Sequence, residues 1–252
     1  MQTTKGVKWI DANGIERDLD TEIAKIDFTL AQIRGIDAVS WATIDALAQQ
    51  DMASSTFRVG EEKHVTLSTG ETLTFVILGF NHDNLAVGGK AKITFGMKNI
   101  TGTLLNMNDT GTNAGGWGSS VMRTSTMPDL FSKLPADLQA VIKPVNKQTS
   151  VGVPSFGIGT SQDSLFLLSE YELTGLLNYA YGGEGTQYEY YQGGVNANFI
   201  KKIGNGAGPA MNWWLRSPYF NNSTYFCSVT ATGVSTGNVA NMANGVSFCF
   251  CV

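Results

Sequence analysis

The stretch Asn212-Trp213-Trp214-Leu215-Arg216-Ser217-Pro218 opens the last part of the chain, and no charged side chain lies between it and the end at Val252. The chain as a whole is 15% charged, so the composition changes here. Residues 219–252 are rich in Tyr, Phe, Asn, Ser, Thr and Gly. Tyr offers large contacts at low entropic cost, and Ser, Gly and Asn offer adjustable hydrogen bonds, as on adaptable binding surfaces. The rest of the chain is therefore interpreted as a platform for this segment.

Two strands are predicted inside the uncharged segment, one near its start and one at its end. Residues 225–230 and 246–252 alternate with a period of two, which is typical of strands. In the second strand, Val246, Phe248, Phe250 and Val252 are expected to face a core, with Ser247, Cys249 and Cys251 on the other face. Glycines at 233, 237 and 245 punctuate the stretch between the strands, which predicts turns and irregular loops.

The first fifty residues form a separate N-terminal part in this interpretation. A small hairpin is predicted around Trp9-Ile10, with its turn at Asn13-Gly14. Further along, apolar residues recur at coiled-coil spacing, namely Leu19, Ile23, Ile26, Leu30 and Ile33. This pattern predicts either a docking or oligomerisation helix, with a homotrimer as the assembly considered, or a helix packed on its own domain. A second helix is predicted over residues 37–50.

The middle of the chain mixes strands and helices, which predicts an α+β fold. Strands are expected at residues 56–60, 63–67, 71–80, 92–96 and 165–168. Helical periodicity runs from Pro128 to Ala140 and is interrupted at Pro135, so two short helices are expected. The acidic residues after Ser169 predict the start of another helix. Tyrosines at 179, 181, 188, 190 and 191 lie in a glycine-rich loop, where they either contact a ligand or brace the loop.

Charge and cysteine content argue against several function classes. The net charge of −4 and the sequence pI near 5.2 provide no basic patch for nucleic acid. Residues 1–6 lack the apolar core of a secretory signal or a membrane span. The three cysteines are an odd number with a Cys-x-Cys spacing, which does not resemble a secreted disulfide framework. Free thiols are preferred over a zinc site, because no His accompanies them.

Catalytic signatures are missing from the sequence. It has no phosphate-binding loop and no His-Glu-x-x-His motif. His82 and Asp83 could begin a metal or acid/base site, although a structural turn is the preferred interpretation. Arg216 is predicted to form a buried or half-buried ion pair. Calcium-dependent sugar binding lacks an acidic cluster in the C-terminal segment.

The Trp-Trp-Leu-Arg-Ser-Pro motif at 213–218, the Gly-Val-Ser-Phe string at 245–248 and Phe-Asn-His-Asp at 80–83 resemble a domain family common in prophages and gut Firmicutes. That family is similar to the C-type lectin fold shared with formylglycine-generating enzymes and with the variable proteins of diversity-generating retroelements. In the genes of those proteins a reverse transcriptase introduces errors at adenines, so that residues encoded by AAC codons vary. Every residue from Pro218 to Val252 except Met242 is reachable from such a codon.

The resemblance implies a C-type lectin-like α+β domain over residues 51–252, with a variable region at 218–245 and the smaller N-terminal part before it. The implied function is non-catalytic recognition, without cofactor or metal, by a phage tail-tip receptor-binding protein or a surface adhesin. The expected ligand is a bacterial surface protein or glycan. The protein would be cytoplasmic before assembly with other tail proteins into the virion.

The predicted ligand-binding residues all lie in the variable region: Tyr219, Phe220, Asn221, Asn222, Tyr225, Thr230, Thr232, Val234, Ser235, Asn238, Asn241 and Asn244. Trp213, Trp214 and Arg216 are predicted to be structural. Two alternatives stay open. One is a metal- or thiol-dependent oxidoreductase of the formylglycine-generating type, which would use Cys249 and Cys251. The other is a fixed structural tail component.

Overall fold

The computed structural model describes residues 6–19, 21–22, 25, 29, 35–193 and 196–252, and it confirms a mixture of α and β structure. The strands are β1 (Lys8–Ile10), β2 (Glu16–Asp18), β3 (Glu62–Thr66), β4 (Thr72–Phe80), β5 (Asn84–Leu85), β6 (Ile93–Met97), β7 (Val145–Ser150), β8 (Ile158–Asp163), β9 (Phe166–Leu167), β10 (Trp213–Pro218), β11 (Tyr225–Val229), β12 (Ser235–Val239) and β13 (Phe248–Cys251). The α-helices are Trp41–Gln49, Ala53–Thr56, Gly116–Ser119, Met127–Lys133, Ala136–Gln139 and Glu170–Thr174. Short 3-10 turns span Ile36–Ala38, Glu189–Tyr191 and Asn196–Phe199, and a π-helical turn spans Met122–Thr126.

The hydrophobic core is built on a five-stranded antiparallel sheet in the order β3-β4-β6-β13-β9. Its aromatic side chains pack against one another at the centre. Phe250 stacks on Phe95 at 5.3 Å between ring centroids and meets Phe75 edge-on at 5.0 Å. Such contacts add to the stabilisation that burial of the rings provides.

The C-terminal strand β13 differs from its prediction. It lies between β6 and β9, and both of its faces are covered, so Ser247, Cys249 and Cys251 are as buried as the apolar residues between them. The alternation in the sequence suggested one solvated face. An antiparallel sheet can leave one face in water, but here both faces of β13 are covered, and small side chains such as Ser and Cys fill the second one.

A second difference concerns residues 235–239, for which loops were predicted. These residues form β12, which pairs with β11 in register from Tyr225 opposite Val239 to Val229 opposite Ser235. The sequence Ser-Thr-Gly-Asn-Val has no apolar period, so its strand conformation comes from hydrogen bonding to β11. The predicted strand at 56–60 was also wrong, because residues 53–56 form a short helix there.

The N-terminal hairpin is confirmed as β1 paired with β2. Of the predicted docking helix, Leu19 is described, whereas Ile23, Ile26, Leu30 and Ile33 lie outside the described residues, so the oligomer stays a prediction. The helix Trp41–Gln49 packs on the main core, with Trp41 at 5.3 Å from Phe95 and 5.7 Å from Phe250. Buried residues on both sides of position 50 therefore belong to one continuous core, and the division of the chain at residue 50 stays a prediction.

The remaining sheets are β10-β11-β12 and β5-β7-β8, each with three strands. Arg216 in β10 joins them to the main sheet, because its guanidinium donates to the Thr149 hydroxyl in β7 and to the Leu167 carbonyl in β9. Two short helices flank Pro135, as predicted. Within the described part of the chain, no helix is both long and apolar enough to cross a bilayer.

Candidate functional site

A group of aromatic rings lies at one end of the β10-β11-β12 sheet. It consists of Tyr179, Tyr219, Phe220 and Tyr225 and is called the aromatic cluster below. Tyr219 is at its centre, stacked on Tyr179 at 5.1 Å and parallel to Phe220 at 6.1 Å, with Tyr225 edge-on at 5.9 Å. Phe220 is the most accessible of the large apolar side chains here, at 42% exposure. The rings form a partly solvated, uncharged surface.

The aromatic cluster depends on a glycine in the neighbouring strand. A Cβ atom placed on Gly237 of β12 would lie 2.4 Å from the Tyr219 ring and 3.1 Å from the Tyr225 ring. The first distance is shorter than real Cβ contacts, and the second would force the Tyr225 ring to move by a few tenths of an ångström. Gly237 therefore provides the space in which the two tyrosine rings lie against the sheet.

The loop between β10 and β11 is held by Asn113, which lies outside the predicted variable region. The Asn113 side chain is fully buried, and its Nδ2 donates to the carbonyls of Asn222 and Tyr225, both at 2.8 Å, and to that of Tyr219 at 3.3 Å. Its Oδ1 accepts from the backbone N–H of Val153 at 3.1 Å. The loop's main chain is thus fixed by a side chain from elsewhere in the fold.

Glu170 plays the corresponding role for the loop that carries Tyr179. Its Oε2 accepts three consecutive backbone N–H groups, from residues 178, 179 and 180, at 3.1, 2.8 and 2.7 Å. Its Oε1 accepts from the Ser235 hydroxyl at 2.5 Å. A buried carboxylate that accepts several backbone N–H groups stabilises the loop conformation. Glu170 therefore connects the loop of Tyr179 to β12.

A network of buried charges lies beneath these loops. Lys147 contacts Asp83 at 2.6 Å and Glu172 at 2.7 Å, and Arg216 holds both carboxylate oxygens of Glu172. The Tyr188 hydroxyl completes it by donating to Asp83 at 2.8 Å. Every member is buried and paired, as buried charges need to be. The ion pair predicted for Arg216 is present and buried, and Asp83 belongs to the same network.

The network also determines which of its carboxyls are ionised. Burial alone would raise the pKa of Asp83, but the Lys147 ammonium outweighs burial and holds that pKa well below its usual range. Burial likewise opposes ionisation of Glu172, and Arg216 followed by Lys147 brings its pKa below the ordinary value. Both groups are therefore carboxylates at neutral pH. In this form each one pairs with the Lys147 ammonium.

Glu184 differs from the other two carboxyls. It is fully buried, accepts from the Ser150 N–H at 2.8 Å and bonds the Ser217 hydroxyl. Burial raises its pKa to about 7, because the Arg216 guanidinium offsets the desolvation only in part. Its backbone carbonyl accepts from Arg216 and from the Ser169 hydroxyl. Glu184 thus ties the tyrosine-rich loop to β7 and β10.

The predicted ligand-binding residues fall into two groups at opposite ends of the β11-β12 hairpin. Tyr219, Phe220, Asn221, Asn222, Tyr225, Asn238, Asn241 and Asn244 lie at the end that carries the aromatic cluster, and Thr230, Thr232, Val234 and Ser235 lie at the other end. Four residue steps along β11 separate the ends, about 13 Å at the usual rise of a strand. The aromatic end alone brings most of the predicted contacts together.

Accessibility divides these residues further. Phe220, Asn221, Thr232, Val234 and Asn241 are exposed. The half-buried residues are Tyr219, Asn222, Tyr225, Thr230, Ser235 and Asn238.

Asn244 is an exception, because it is only 5% exposed and its side-chain oxygen accepts from Asn238. Its assignment as an adjustable contact is corrected to an internal one. Trp213 and Trp214, which were predicted to be structural, are each fully buried and donate their indole N–H to a backbone carbonyl.

The tyrosine-rich loop divides between its two predicted roles. Tyr188 and Tyr191 are buried and brace the structure, and Tyr188 also stacks on His82 at 3.9 Å. Tyr179 joins the aromatic cluster, and Tyr181 is 41% exposed. The bracing role is therefore confirmed for Tyr188 and Tyr191, and Tyr179 and Tyr181 remain available to a ligand.

Asn113 and Glu170 were missed as organising residues by the sequence analysis. Asn113 lies in the glycine-flanked stretch Gly111-Thr112-Asn113-Ala114-Gly115, which signals a turn and nothing more. Glu170 was assigned only to the first turn of a helix. Their partners are up to 112 residues away in sequence, so no local pattern could reveal the bonds.

The cysteines lie in surroundings that suppress thiol chemistry. Cys227, Cys249 and Cys251 are free thiols and fully buried, and burial raises the pKa of each, that of Cys249 to about 12. Buried thiols with raised pKa values are poor nucleophiles. Among the described residues, no group of three His, Cys, Asp or Glu side chains is placed to hold a metal ion.

Residues 93–252, more than half of the chain, match a family described as a domain of unknown function (DUF6273), so the chain belongs to that family. The matched region begins with β6 and contains the aromatic cluster, Asn113 and Glu170. No curated protein and no solved structure matches the chain.

Proposed function

We propose that this member of the DUF6273 family is a non-catalytic recognition protein whose ligand-binding surface is the aromatic cluster and the exposed residues beside it. The proposal includes a C-type lectin-like fold, with which the mixed α and β structure is compatible. It also includes diversification of residues 218–245 by a retroelement. In this proposal the protein is a phage tail-tip receptor-binding protein or a surface adhesin, and its ligand is a bacterial surface protein or glycan.

The observation that carries the proposal is the anchoring of the β10–β11 loop by Asn113. Three carbonyls of the loop are bonded by this one side chain, whereas Phe220 and Asn221 project into solvent. Main-chain bonds do not depend on which side chains the loop carries. Such a loop can accept new side chains without losing its conformation, which is what a diversified binding surface requires.

The chemistry of the surface supports recognition by shape and hydrogen bonding. Tyr219 and Phe220 are large aromatic anchors of the kind that dominate binding energies. Asn221 and Asn241 are exposed amides, each able to donate and accept. Because the segment has no charged side chain, a ligand bound here would be recognised by apolar and polar contacts, with little dependence on salt.

The test is to sequence the gene from codon 113 to its 3′ end across its natural population. The expected result is that substitutions concentrate at exposed positions such as Phe220, Asn221, Thr232, Val234 and Asn241. Asn113, Glu170 and Gly237 should stay constant, since they fix the main chain beneath. Gly237 is the sharpest internal control, because it lies inside the variable region but has no room for a side chain.

Two other results would count against the proposal. If residues 218–245 are as constant as the rest of the chain, diversification is excluded, and a fixed-specificity binder or a fixed structural tail component takes its place. If substitutions fall equally on Gly237 and on Phe220, the segment varies without structural constraint and the anchored-loop argument fails. The thiol-dependent enzyme has weaker support, given the burial and raised pKa values of the cysteines.

A further inference from the structure

A cleft of about 440 Å³ lies on a part of the molecule that shares no lining residue with the aromatic cluster. Its walls come from β3, from the turn after β6 and from the stretch 197–206. This volume falls in the range of small-molecule sites. One wall, β3, precedes the region that matches the family, so the cleft combines family and non-family parts of the chain.

Two carboxamides of the cleft have their oxygens occupied by the protein itself. The Asn99 Oδ1 accepts from the backbone N–H of Lys202 at 3.2 Å, and the Asn205 Oδ1 accepts from that of Ala207 at 3.3 Å. A backbone N–H can only donate, so it fixes which end of each amide is the oxygen. Neither Nδ2 group has a hydrogen-bond partner among the described residues, and both are left as donors at the cleft.

Gly206 allows Asn99 to take this position. It has a positive φ of 95°, and a Cβ atom on it would lie 2.9 Å from the Asn99 Nδ2. The backbone turn therefore passes close to the amide, which lines the cleft. A larger residue at 206 would push this donor away.

The charged side chains of the cleft are mostly cationic. Lys98 and Lys202 line it with a single carboxylate, that of Glu62, which contacts Lys98 at 2.5 Å. Two lysines and one glutamate give the lining a net charge of +1, in a protein of net charge −4. Lys202 is exposed, and no described carboxylate lies within ion-pairing distance of it. The cleft thus presents an ammonium and two amide donors without matching acceptors.

One aromatic ring completes the lining. Tyr190 is half-buried, packs edge-on against Tyr191 at 5.0 Å and lies against the backbone at Gly60. Burial, and after it the nearby Glu62 carboxylate, raises the pKa of Tyr190, so its hydroxyl stays protonated and is a further donor. An aromatic ring with a polar end suits ligands that have both C–H faces and oxygen atoms.

From this combination we infer a second binding site, for an anionic saccharide such as a uronic acid residue. The sugar's carboxylate would pair with Lys202, and its hydroxyl and ring oxygens would accept from the Asn99 and Asn205 amides. Its C–H face would pack on Tyr190. Donors without acceptors favour an oxygen-rich anion over a cationic or apolar ligand, because charge-assisted bonds are the stronger ones. The inference does not depend on the proposed role of the aromatic cluster.

The experiment is an NMR titration of the full chain with glucuronate, observing the side-chain NH₂ signals of Asn99 and Asn205. Glucose supplies the neutral comparison and acetate supplies the carboxylate alone. Glucuronate should bind with a dissociation constant on the order of 1 mM and shift both NH₂ signals, as expected for a single weak site. Glucose and acetate should each bind at least about tenfold more weakly.

Two lysine variants with the same charge change distinguish binding at the cleft from an effect of the protein's net charge. Lys202→Glu should weaken glucuronate binding about tenfold or more, since it removes a charged hydrogen bond. Lys90→Glu makes the same charge change at an exposed lysine outside the cleft and should leave the affinity within about twofold. Thermal unfolding of both variants establishes that each one is folded.

Each contrary outcome overturns a stated part of the inference. Failure of glucuronate to shift either NH₂ signal at about 10 mM excludes the site. Equal binding of glucose shows that the cleft does not select an anion, and equal binding of acetate shows that it does not select a sugar. Equal loss in the two lysine variants shows that only net charge is sensed.

Discussion

Replacement of Asn113 by alanine tests the anchoring of the aromatic surface most directly. The side-chain NH₂ carries two hydrogens, so the carbonyls of Asn222 and Tyr225, both at 2.8 Å, receive full hydrogen bonds, and the Tyr219 carbonyl at 3.3 Å shares one. The Val153 N–H supplies a third full bond, to Oδ1. At about 1 kcal/mol for each buried bond, Asn113→Ala should lower the free energy of unfolding by about 3 kcal/mol.

Urea denaturation measures this loss, and an unchanged m value would show that the variant still unfolds from a similarly compact state. Amide hydrogen exchange should also lose protection in residues 219–225 more than in β4, because the loop loses its bonds while the core does not. Asn113→Asp is the isosteric comparison. It keeps an acceptor for Val153 but has no hydrogens for the carbonyls, so it should destabilise at least as much as alanine.

Asn221→Ala is the control within the same loop. Its side chain is exposed, and its removal should change the free energy of unfolding by less than about 0.5 kcal/mol. The reasoning is refuted if Asn113→Ala costs less than about 1 kcal/mol, since the loss of three buried bonds must have a larger effect. It is also refuted if Asn113→Asp is as stable as the wild type.

Two further predictions concern the buried titratable groups. The pKa of Glu184 is raised by burial from an ordinary value of 4.5 to about 7. The associated stability is therefore present in full below pH 4.5 and is lost as the pH rises through 7. Relative to Glu184→Gln, the wild type should lose about 3 kcal/mol of unfolding free energy between these limits, and a difference that does not change with pH would contradict the assignment. Cys227, Cys249 and Cys251 should not react with dithiobis(nitrobenzoate) in the native protein but should all react in guanidinium chloride, because each thiol is buried and its pKa is raised by burial. Rapid labelling of any one in the native state would reopen the thiol-enzyme alternative.

Elements specified by local pattern could be predicted from the sequence. The Asn13-Gly14 turn predicts the N-terminal hairpin, Pro135 separates two short helices, and a run of apolar residues predicts β4. A buried or half-buried ion pair was also predicted for Arg216, and it is present with Glu172. In each case the signal lies within a few residues of the feature.

Features that depend on a distant partner could not be predicted in this way. β12 is a strand because β11 pairs with it, although its own sequence suggests a loop. Both faces of β13 are buried because other parts of the chain cover the sheet on both sides at this strand. The same limit explains Asn244, which the sequence places in a polar segment and the fold places inside.

The sequence by itself therefore determined the class of the structure, the uncharged composition of its C-terminal segment and the residue types available for binding. Only the tertiary structure decided which of those residues share a surface, because the β11-β12 hairpin carries them to opposite ends. The tertiary structure also decided which side chains hold the main chain beneath that surface. Asn113 and Glu170 bond to backbone groups. Nearly every residue has the same backbone N–H and C=O groups, so the sequence does not indicate which of them a distant side chain will bond.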